Sequence, residues 1–194
     1  FNSVPPSASI LHALESPPGG GDTGFSNMYL ALETLAPELR RAIQGRTIKH
    51  DQRYTSGGQL RPGYTGAEDI RATPGPRHPI VRRHPETGCS ALYLGRRPHA
   101  HVTDLPLDES EALLDALWAH AAKADFTWHH QWRVGDILIW DNRCAMHRRD
   151  AFDPQSRRIM HRTQCKGSPV VEADAKSFTP HTRGHQTFQG DKKC

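Results

Sequence analysis

Residues 140–167 have the sequence WDNRCAMHRRDAFDPQSRRIMHRTQCKG, which carries more structural information than any other part of the chain. The apolar residues of 136–140 alternate with others and predict a strand. Residues 158–163 alternate again and predict a second strand. The polar segment 150–156 contains a proline and predicts a turn. We therefore expect two antiparallel strands here.

Three side chains of this segment carry ligand chemistry. His147 falls near the end of the first predicted strand, and Arg158 and Arg162 lie along the second. A neutral imidazole is a ligand for iron, zinc or copper, and a guanidinium binds a carboxylate through two parallel hydrogen bonds. Because Arg158 and Arg162 are four residues apart, we expect them to share one face of the strand, with Arg157 on the other.

Two motifs resemble a known family. The pattern W-D-N-R-x-x-x-H ends at His147 and is followed by arginines eleven and fifteen residues later, within R-R-I-M-H-R-T. The pattern G-G-D-T spans residues 20–23 and precedes a predicted helix. Both are similar to motifs of the taurine/dichlorophenoxyacetate dioxygenase family, which comprises non-haem iron(II), 2-oxoglutarate-dependent oxygenases. The resemblance covers residues 1–167 and implies a mainly β protein with helical inserts, a double-stranded β-helix or jelly roll.

The resemblance also implies roles for individual residues. His147 would be a ligand of Fe(II), and Arg158, aided by Thr23, would hold the distal carboxylate of the cosubstrate 2-oxoglutarate. Arg162 would lie near the C1 carboxylate or the anionic group of the substrate. No catalytic side chain beyond the metal site is implied. The reaction would hydroxylate a small anionic organic substrate, such as a sulfonate or an aryloxyalkanoate, and release succinate and CO2.

The iron site of this family is a facial triad, formed by an H-x-D pair and a later histidine. The H-x-D pair is absent from the sequence and would lie shortly before Phe1, so we expect a partial chain that is inactive alone. A non-catalytic jelly-roll binding module is therefore the alternative function. A zinc site using Cys144 and His147, spaced C-x-x-H, is a third hypothesis, although it lacks a second ligand pair.

Composition narrows the class of protein. The chain has 194 residues, so one domain is expected, and its net charge of +4 comes from scattered arginines. No basic helix face accompanies that charge, so we expect no nucleic-acid partner. The four cysteines lack paired spacing, and no apolar run is long enough to cross a membrane. These features favour a reduced, cytoplasmic protein without a membrane partner, and leave a homo-oligomer open.

We predict one jelly-roll domain over residues 1–167 and a disordered tail over 168–194, which is polar and lacks periodicity. The Gly- and Pro-rich stretch 50–79 predicts either a functional loop or plain disorder. Further strands are expected at 9–14, 22–25, 80–84, 91–95 and 126–134. Trp128 and Trp132 in the last of these are expected to be packing residues.

Two helical regions are predicted. An apolar stripe from residue 28 to residue 43 follows a candidate N-cap at Ser26, and Pro37 divides it into two short helices. The second region, 107–123, begins with Asp108 and Glu111 in a variant of the capping box. An H-x-H pair at residues 99–101 lacks a third ligand, so we expect surface or substrate-pocket histidines there.

Overall fold

The computed structural model describes residues 2–55, 59–66, 69–95 and 99–174. The helices are α1 (Met28–Glu33), α2 (Pro37–Ala42) and α3 (Leu107–Ala121), with short 3-10 turns at Ile70–Ala72 and Ala124–Phe126. The strands are β1 (Ala8–Glu15), β2 (Thr23–Asn27), β3 (Thr47–His50), β4 (Arg77–Pro79), β5 (Val81–Arg83), β6 (Ser90–Leu92), β7 (Ala100–Val102), β8 (Thr127–His130), β9 (Ile137–Asp141), β10 (Ala145–Arg149), β11 (Ile159–Gln164) and β12 (Val171–Glu172).

Two antiparallel sheets face each other and form the part of the fold that holds the site. The first sheet has the strand order β11–β1–β9, and the second has the order β10–β2–β8. Aromatic rings meet between them: Trp140 of β9 lies 5.3 Å from Phe25 of β2, measured between ring centroids. Two sheets packed face to face are the jelly-roll arrangement, so the predicted fold class is confirmed.

The pairing predicted for the two strands of segment 136–163 is wrong. Strands β9 and β11 form as expected, but both pair with β1 rather than with each other. His147 lies on a separate strand, β10, in the second sheet. The chain crosses between sheets because it turns immediately after β9, where the Asp141 carboxylate accepts a hydrogen bond from the backbone N–H of Arg143 at 2.7 Å.

Helix α1 packs against β6, and α3 packs against β7. Ser26 does not cap α1: its hydroxyl donates to the carbonyl of Ala121 in α3 at 2.7 Å. Asn27 is the N-cap, and its side-chain oxygen accepts from two backbone N–H groups of α1. Pro37 begins α2 as predicted. The capping box predicted for α3 is wrong, because Pro106 precedes that helix and makes no side-chain cap.

Strands β3 to β7, which lie between β2 and β8 in the chain, belong to two smaller sheets, β4–β3–β7 and β12–β5–β6, and the second of these also includes β12 from after β11. Strand β12 pairs with β5, and Ala173 beside it is buried. The described structure therefore continues past the predicted boundary at Gly167 as far as Asp174, and the predicted tail beyond it stays a prediction because residues 175–194 lie outside the described part. The stretch 50–79 contains an ion pair between the buried side chains of Asp51 and Arg53, 2.6 Å apart. Across the described residues, the structure contains no helix long and apolar enough to cross a membrane.

Candidate active site

His147 lies on the inner face of the second sheet, packed against two aromatic rings. Phe25 is directly opposite it on β2, and the two rings stack with their centroids 6.2 Å apart. Trp140 of the facing sheet contacts the imidazole, with a centroid distance of 4.8 Å. These contacts hold the ring between the sheets while one side stays open to solvent.

The surroundings of His147 favour the neutral imidazole. Desolvation by the packed rings lowers its pKa below the ordinary value of 6.5, and the positive charge of Arg162 lowers the pKa further. At neutral pH the ring is therefore uncharged, which is the form that binds a metal ion.

Arg162 lies on the inner face of the first sheet. It is opposite Leu11 of β1, which is opposite Leu138 of β9. Leu138 is two residues from Trp140 and shares its face, so Arg162 points toward the second sheet. The effect of Arg162 on the pKa of His147 agrees with this placement. The structure thus brings these two predicted site residues together from opposite sheets.

Thr23, Trp132 and Arg158 form a second group at one end of the space between the sheets. The Thr23 side chain is 3% exposed, and its hydroxyl oxygen accepts a hydrogen bond from the Trp132 indole N–H at 2.9 Å. The Arg158 guanidinium lies over the same indole ring, 5.9 Å from its centroid. Trp132 therefore connects the two residues that were predicted to bind 2-oxoglutarate.

Gly21 of the G-G-D-T motif permits the close approach of Arg158. Its φ of +72° lies in the left-handed region, and its carbonyl oxygen accepts a hydrogen bond from the Arg158 Nε at 3.2 Å. A Cβ atom at this position would lie 3.3 Å from Arg158 Cδ and 3.2 Å from Pro17 Cγ. A residue with a side chain would therefore displace Arg158.

The arginines around the site differ in their partners. Arg148 and Arg157 form ion pairs with carboxylates at 3.3 and 2.8 Å. Within the described ranges, neither Arg158 nor Arg162 forms an ion pair. Burial lowers the pKa of Arg158, and the neighbouring charge of Arg149 lowers it further. A partly desolvated guanidinium without a carboxylate partner is suited to an anionic ligand, because the ligand would restore the missing counter-charge.

Arg157 behaves as its place in the sequence predicts. Its Nη2 donates to an oxygen of Glu15 at 2.9 Å, and it is exposed to solvent. Arg158, the next residue, turns toward Gly21 and Trp132 instead. The two adjacent arginines therefore have separate contacts, but both precede β11 (Ile159–Gln164), so the predicted arrangement on the faces of one strand stays a prediction.

The zinc hypothesis for Cys144 and His147 is wrong. Cys144 packs against the hydrophobic core on the helix side of the second sheet, whereas His147 faces the other sheet. The Cys144 thiol instead lies with His84 and Asp141, and the ligand atoms of the three residues are within 4.8 Å of one another. In the H-x-H pair, His99 stacks on Tyr54 with the ring centroids 3.8 Å apart, whereas His101 is buried, so His101 is not a surface histidine.

Three aromatic residues of the site were not predicted from the sequence. Phe25 and Trp140 hold His147, and Trp132 donates to Thr23. Phe25 is two residues after Thr23 on one strand, so the alternation of side chains could have placed it on the same face. Trp128 was expected to be a packing residue, but it is 56% exposed and contacts the Phe25 ring from an edge strand.

Residues 1–164 match the family described as taurine catabolism dioxygenase TauD, TfdA family. The chain belongs to this family. Its W-D-N-R-x-x-x-H and G-G-D-T motifs both lie within the matched range. The resemblance inferred from those motifs is confirmed.

Several characterised proteins are similar to this TauD/TfdA chain. Pentalenolactone F synthase of Streptomyces arenae is 37% identical over 161 residues, which cover 78% of the chain and 54% of that protein. The alpha-ketoglutarate-dependent 2,4-dichlorophenoxyacetate dioxygenase of Cupriavidus pinatubonensis is 34% identical, with coverage of 84% and 56%. The (S)-phenoxypropionate/alpha-ketoglutarate-dioxygenase of Sphingobium herbicidovorans is 33% identical, with coverage of 89% and 61%.

Solved structures of the TauD/TfdA type share the fold. AAD-2 in complex with Mn(II) and N-oxalylglycine superposes with a TM-score of 0.76 and 31% identity, covering 89% of this chain and 68% of that one. A taurine dioxygenase from Burkholderia xenovorans gives a TM-score of 0.68 and 32% identity, covering 90% and 61%. The chain spans little more than half the length of the first two curated relatives, at 54% and 56%.

Proposed function

We propose that the whole protein is an Fe(II)- and 2-oxoglutarate-dependent dioxygenase that hydroxylates a small anionic organic substrate. The observation that carries the proposal is the Arg158 guanidinium. It is partly desolvated, lacks an ion pair within the described residues, and lies beside Thr23 at one end of the space that His147 also faces. A hydrogen-bond donor for a carboxylate and a neutral metal ligand would thus share one space between the sheets.

The part of the iron site in this chain is His147. A neutral imidazole fixed between Phe25 and Trp140 fits one position of a facial triad. The H-x-D pair is absent from the 194 residues, so we propose that it belongs to the part of the whole protein that this chain does not cover. When bound, iron would supply the activation of dioxygen, and the side chains described here would bind and orient the organic molecules.

Arg158 and Thr23 would bind the distal carboxylate of 2-oxoglutarate. The Thr23 oxygen already accepts from Trp132, so the hydroxyl hydrogen is left to donate to an anion. Arg158 would provide a charge-assisted bond from the other side. Its Nε donates to Gly21, which fixes the guanidinium and leaves its terminal nitrogens for the carboxylate.

Arg162 would bind the second acidic group. It lies on the inner face of the first sheet, near His147, where it could contact the C1 carboxylate of 2-oxoglutarate or the acid of the substrate. The names of the relatives include dioxygenases of dichlorophenoxyacetate and phenoxypropionate. We therefore propose an organic carboxylate or sulfonate as the substrate. The expected cytoplasmic location and a homo-oligomer stay predictions.

The test is succinate formation by the whole protein with Fe(II), ascorbate and a panel of aryloxy acids and sulfonates. Arg158→Leu should weaken 2-oxoglutarate binding by about 1.5–3 kcal/mol, the value of a hydrogen bond to a charged group. Arg157→Leu is the matched control, because that arginine is adjacent but pairs with Glu15 at the surface.

Equal 2-oxoglutarate affinity in the two variants would overturn the assignment of Arg158. Absence of both succinate and bound iron in the folded whole protein would favour the second candidate, a jelly-roll binding module. That candidate is supported by the single metal ligand found in this sequence. The 194-residue chain, assayed beside the whole protein, should form no succinate.

A further inference from the structure

A hydrogen-bonded group centred on Asp141 lies at the turn that leads into β10, the strand that carries His147. Asp141 is the last residue of β9, and its carboxylate accepts hydrogen bonds from the Arg143 Nε at 2.9 Å and Nη2 at 2.6 Å. His84, from the turn after β5, lies 3.0 Å from the same carboxylate through its Nε2. Arg143 also donates to Glu86 at 2.6 Å. The group therefore links the β9–β10 turn to the β5–β6 turn.

The contacts of His84 fix its tautomer. The side chain is 4% exposed, and its Nδ1 accepts hydrogen bonds from the backbone N–H groups of Glu86, at 3.3 Å, and Thr87, at 3.2 Å. A ring nitrogen that accepts carries no hydrogen, so the hydrogen of the neutral imidazole is on Nε2. His84 consequently donates to Asp141.

This assignment rules out a metal ion among His84, Asp141 and Cys144, although their ligand atoms are close together. Nδ1 of His84 is occupied by two backbone donors, and Nε2 carries a hydrogen. The Asp141 oxygens are occupied by Arg143. Burial raises the pKa of the Cys144 thiol, which disfavours the thiolate that a metal requires. The group must therefore serve another purpose.

Its position relative to His147 indicates that purpose. The turn between β9 and β10 is stabilised by a hydrogen bond from the backbone N–H of Arg143 to the Asp141 carboxylate. Strand β10 begins shortly afterwards, at Ala145. His147 follows two residues later on that short strand. A shift of the Asp141 carboxylate would move the turn and, with it, the imidazole between Phe25 and Trp140.

We propose that His84 is a positioning residue for His147, because its hydrogen bond to Asp141 holds the turn from which the metal-ligand strand begins. This inference rests on the proposed function, in which His147 binds iron. Groups that orient a metal ligand from outside the coordination shell typically change metal affinity by about 10–100-fold when they are removed.

Two amide substitutions separate the two halves of the His84 interaction. In His84→Asn the amide oxygen can replace Nδ1 and accept hydrogen bonds from the backbone N–H groups of Glu86 and Thr87. The asparagine side chain is, however, too short to reach Asp141. In His84→Gln the amide nitrogen can replace Nε2 and donate to Asp141, while the acceptor for the turn is lost. Both variants should lower the melting temperature, so stability alone does not distinguish them.

The decisive measurement is the affinity of the whole protein for Co(II), followed by its visible absorption in titrations without 2-oxoglutarate. We expect His84→Asn to weaken Co(II) binding by about tenfold and His84→Gln to stay within about threefold of the parent protein. The inference would be overturned if Co(II) binding were weakened equally in both variants, were weakened in His84→Gln alone, or were unchanged in both. His147→Ala is the separate control: unchanged Co(II) affinity in that variant would instead refute the proposed function.

Discussion

Replacing Gly21 by alanine tests how the G-G-D-T motif shapes the site. Gly21 has a φ of +72°, and a residue with a Cβ costs about 1–2 kcal/mol in that left-handed conformation. The new methyl carbon would also lie 3.2 Å from Pro17 Cγ and 3.3 Å from Arg158 Cδ, which is tighter than ordinary van der Waals contact. We expect Gly21→Ala to lower the free energy of unfolding by about 1–2 kcal/mol.

The same substitution should weaken 2-oxoglutarate binding. Relief of the close contact between the new Cβ and Arg158 requires the arginine side chain to move by a few tenths of an ångström. The hydrogen bond from Arg158 to the Gly21 carbonyl fixes the guanidinium where it would bind the carboxylate, so this movement should weaken binding. Loss of about half of a charge-assisted bond, about 0.8–1.5 kcal/mol, corresponds to about a four- to twelvefold rise in the dissociation constant.

Gly19→Ala is the matched control. A Cβ at Gly19 meets no atom within 4 Å, and the residue is not in the left-handed region. Its stability should be unchanged or slightly raised, since alanine restricts the unfolded chain. Urea unfolding and 2-oxoglutarate titration of the whole protein, with both variants, would measure the two effects. The reasoning is refuted if Gly21→Ala matches Gly19→Ala in both measurements. Lost stability with full 2-oxoglutarate affinity would refute only the role of Arg158.

Three further outcomes are expected. Thr23→Val should raise the dissociation constant for 2-oxoglutarate and destabilise the fold by about 1–3 kcal/mol in urea unfolding, because the Trp132 indole N–H loses its acceptor. Burial alone would raise the pKa of Asp141, but hydrogen bonds from Arg143 and His84 outweigh it and lower the pKa to about 2 from 3.8. The carboxylate therefore stabilises the fold by about 2 kcal/mol above pH 3.8, and this stabilisation is lost as the pH falls toward 2. The difference in unfolding free energy between the parent protein and Asp141→Asn should shrink over that range. Because the pKa of His147 is below 6.5, Co(II) titrations should show its contribution to metal affinity persisting below pH 6.5 and disappearing only as the pH falls through the lowered pKa.

The strands were largely predictable, whereas their partners were not. Alternation of apolar residues located β1, β9 and β11 to within one or two residues. Nothing in that local pattern states which strands are neighbours. The pairing of β9 and β11 with β1 depends on contacts between residues more than 120 positions apart. The strand that carries His147 was missed because Ala145–Arg149 alternates weakly between apolar and polar residues.

The predicted site residues came mainly from motif resemblance, and the structure adds the reason for their chemistry. The alternation of side chains predicted different faces for Arg157 and Arg158, but it could not show that, of these two, Arg157 alone forms an ion pair among the described residues. That difference arises because Glu15 ends a strand far away in the chain and beside β11 in space. The lowered pKa of His147 likewise depends on Trp140 and Arg162 of the first sheet, which reach the imidazole only when the two sheets face each other.

Two tryptophans couple the two sheets at the site. Trp140 comes from the first sheet and packs on His147 of the second. Trp132 follows β8 of the second sheet and lies against Arg158, next to the first. Each contact joins a proposed ligand residue of one sheet to an aromatic anchor of the other, so a change in the spacing of the sheets would displace the metal ligand and the carboxylate-binding arginine together. In the proposed site, packing between the sheets would set the separation of His147 and Arg158, so conservative substitutions at Trp132 or Trp140 should alter the affinity for both metal and 2-oxoglutarate.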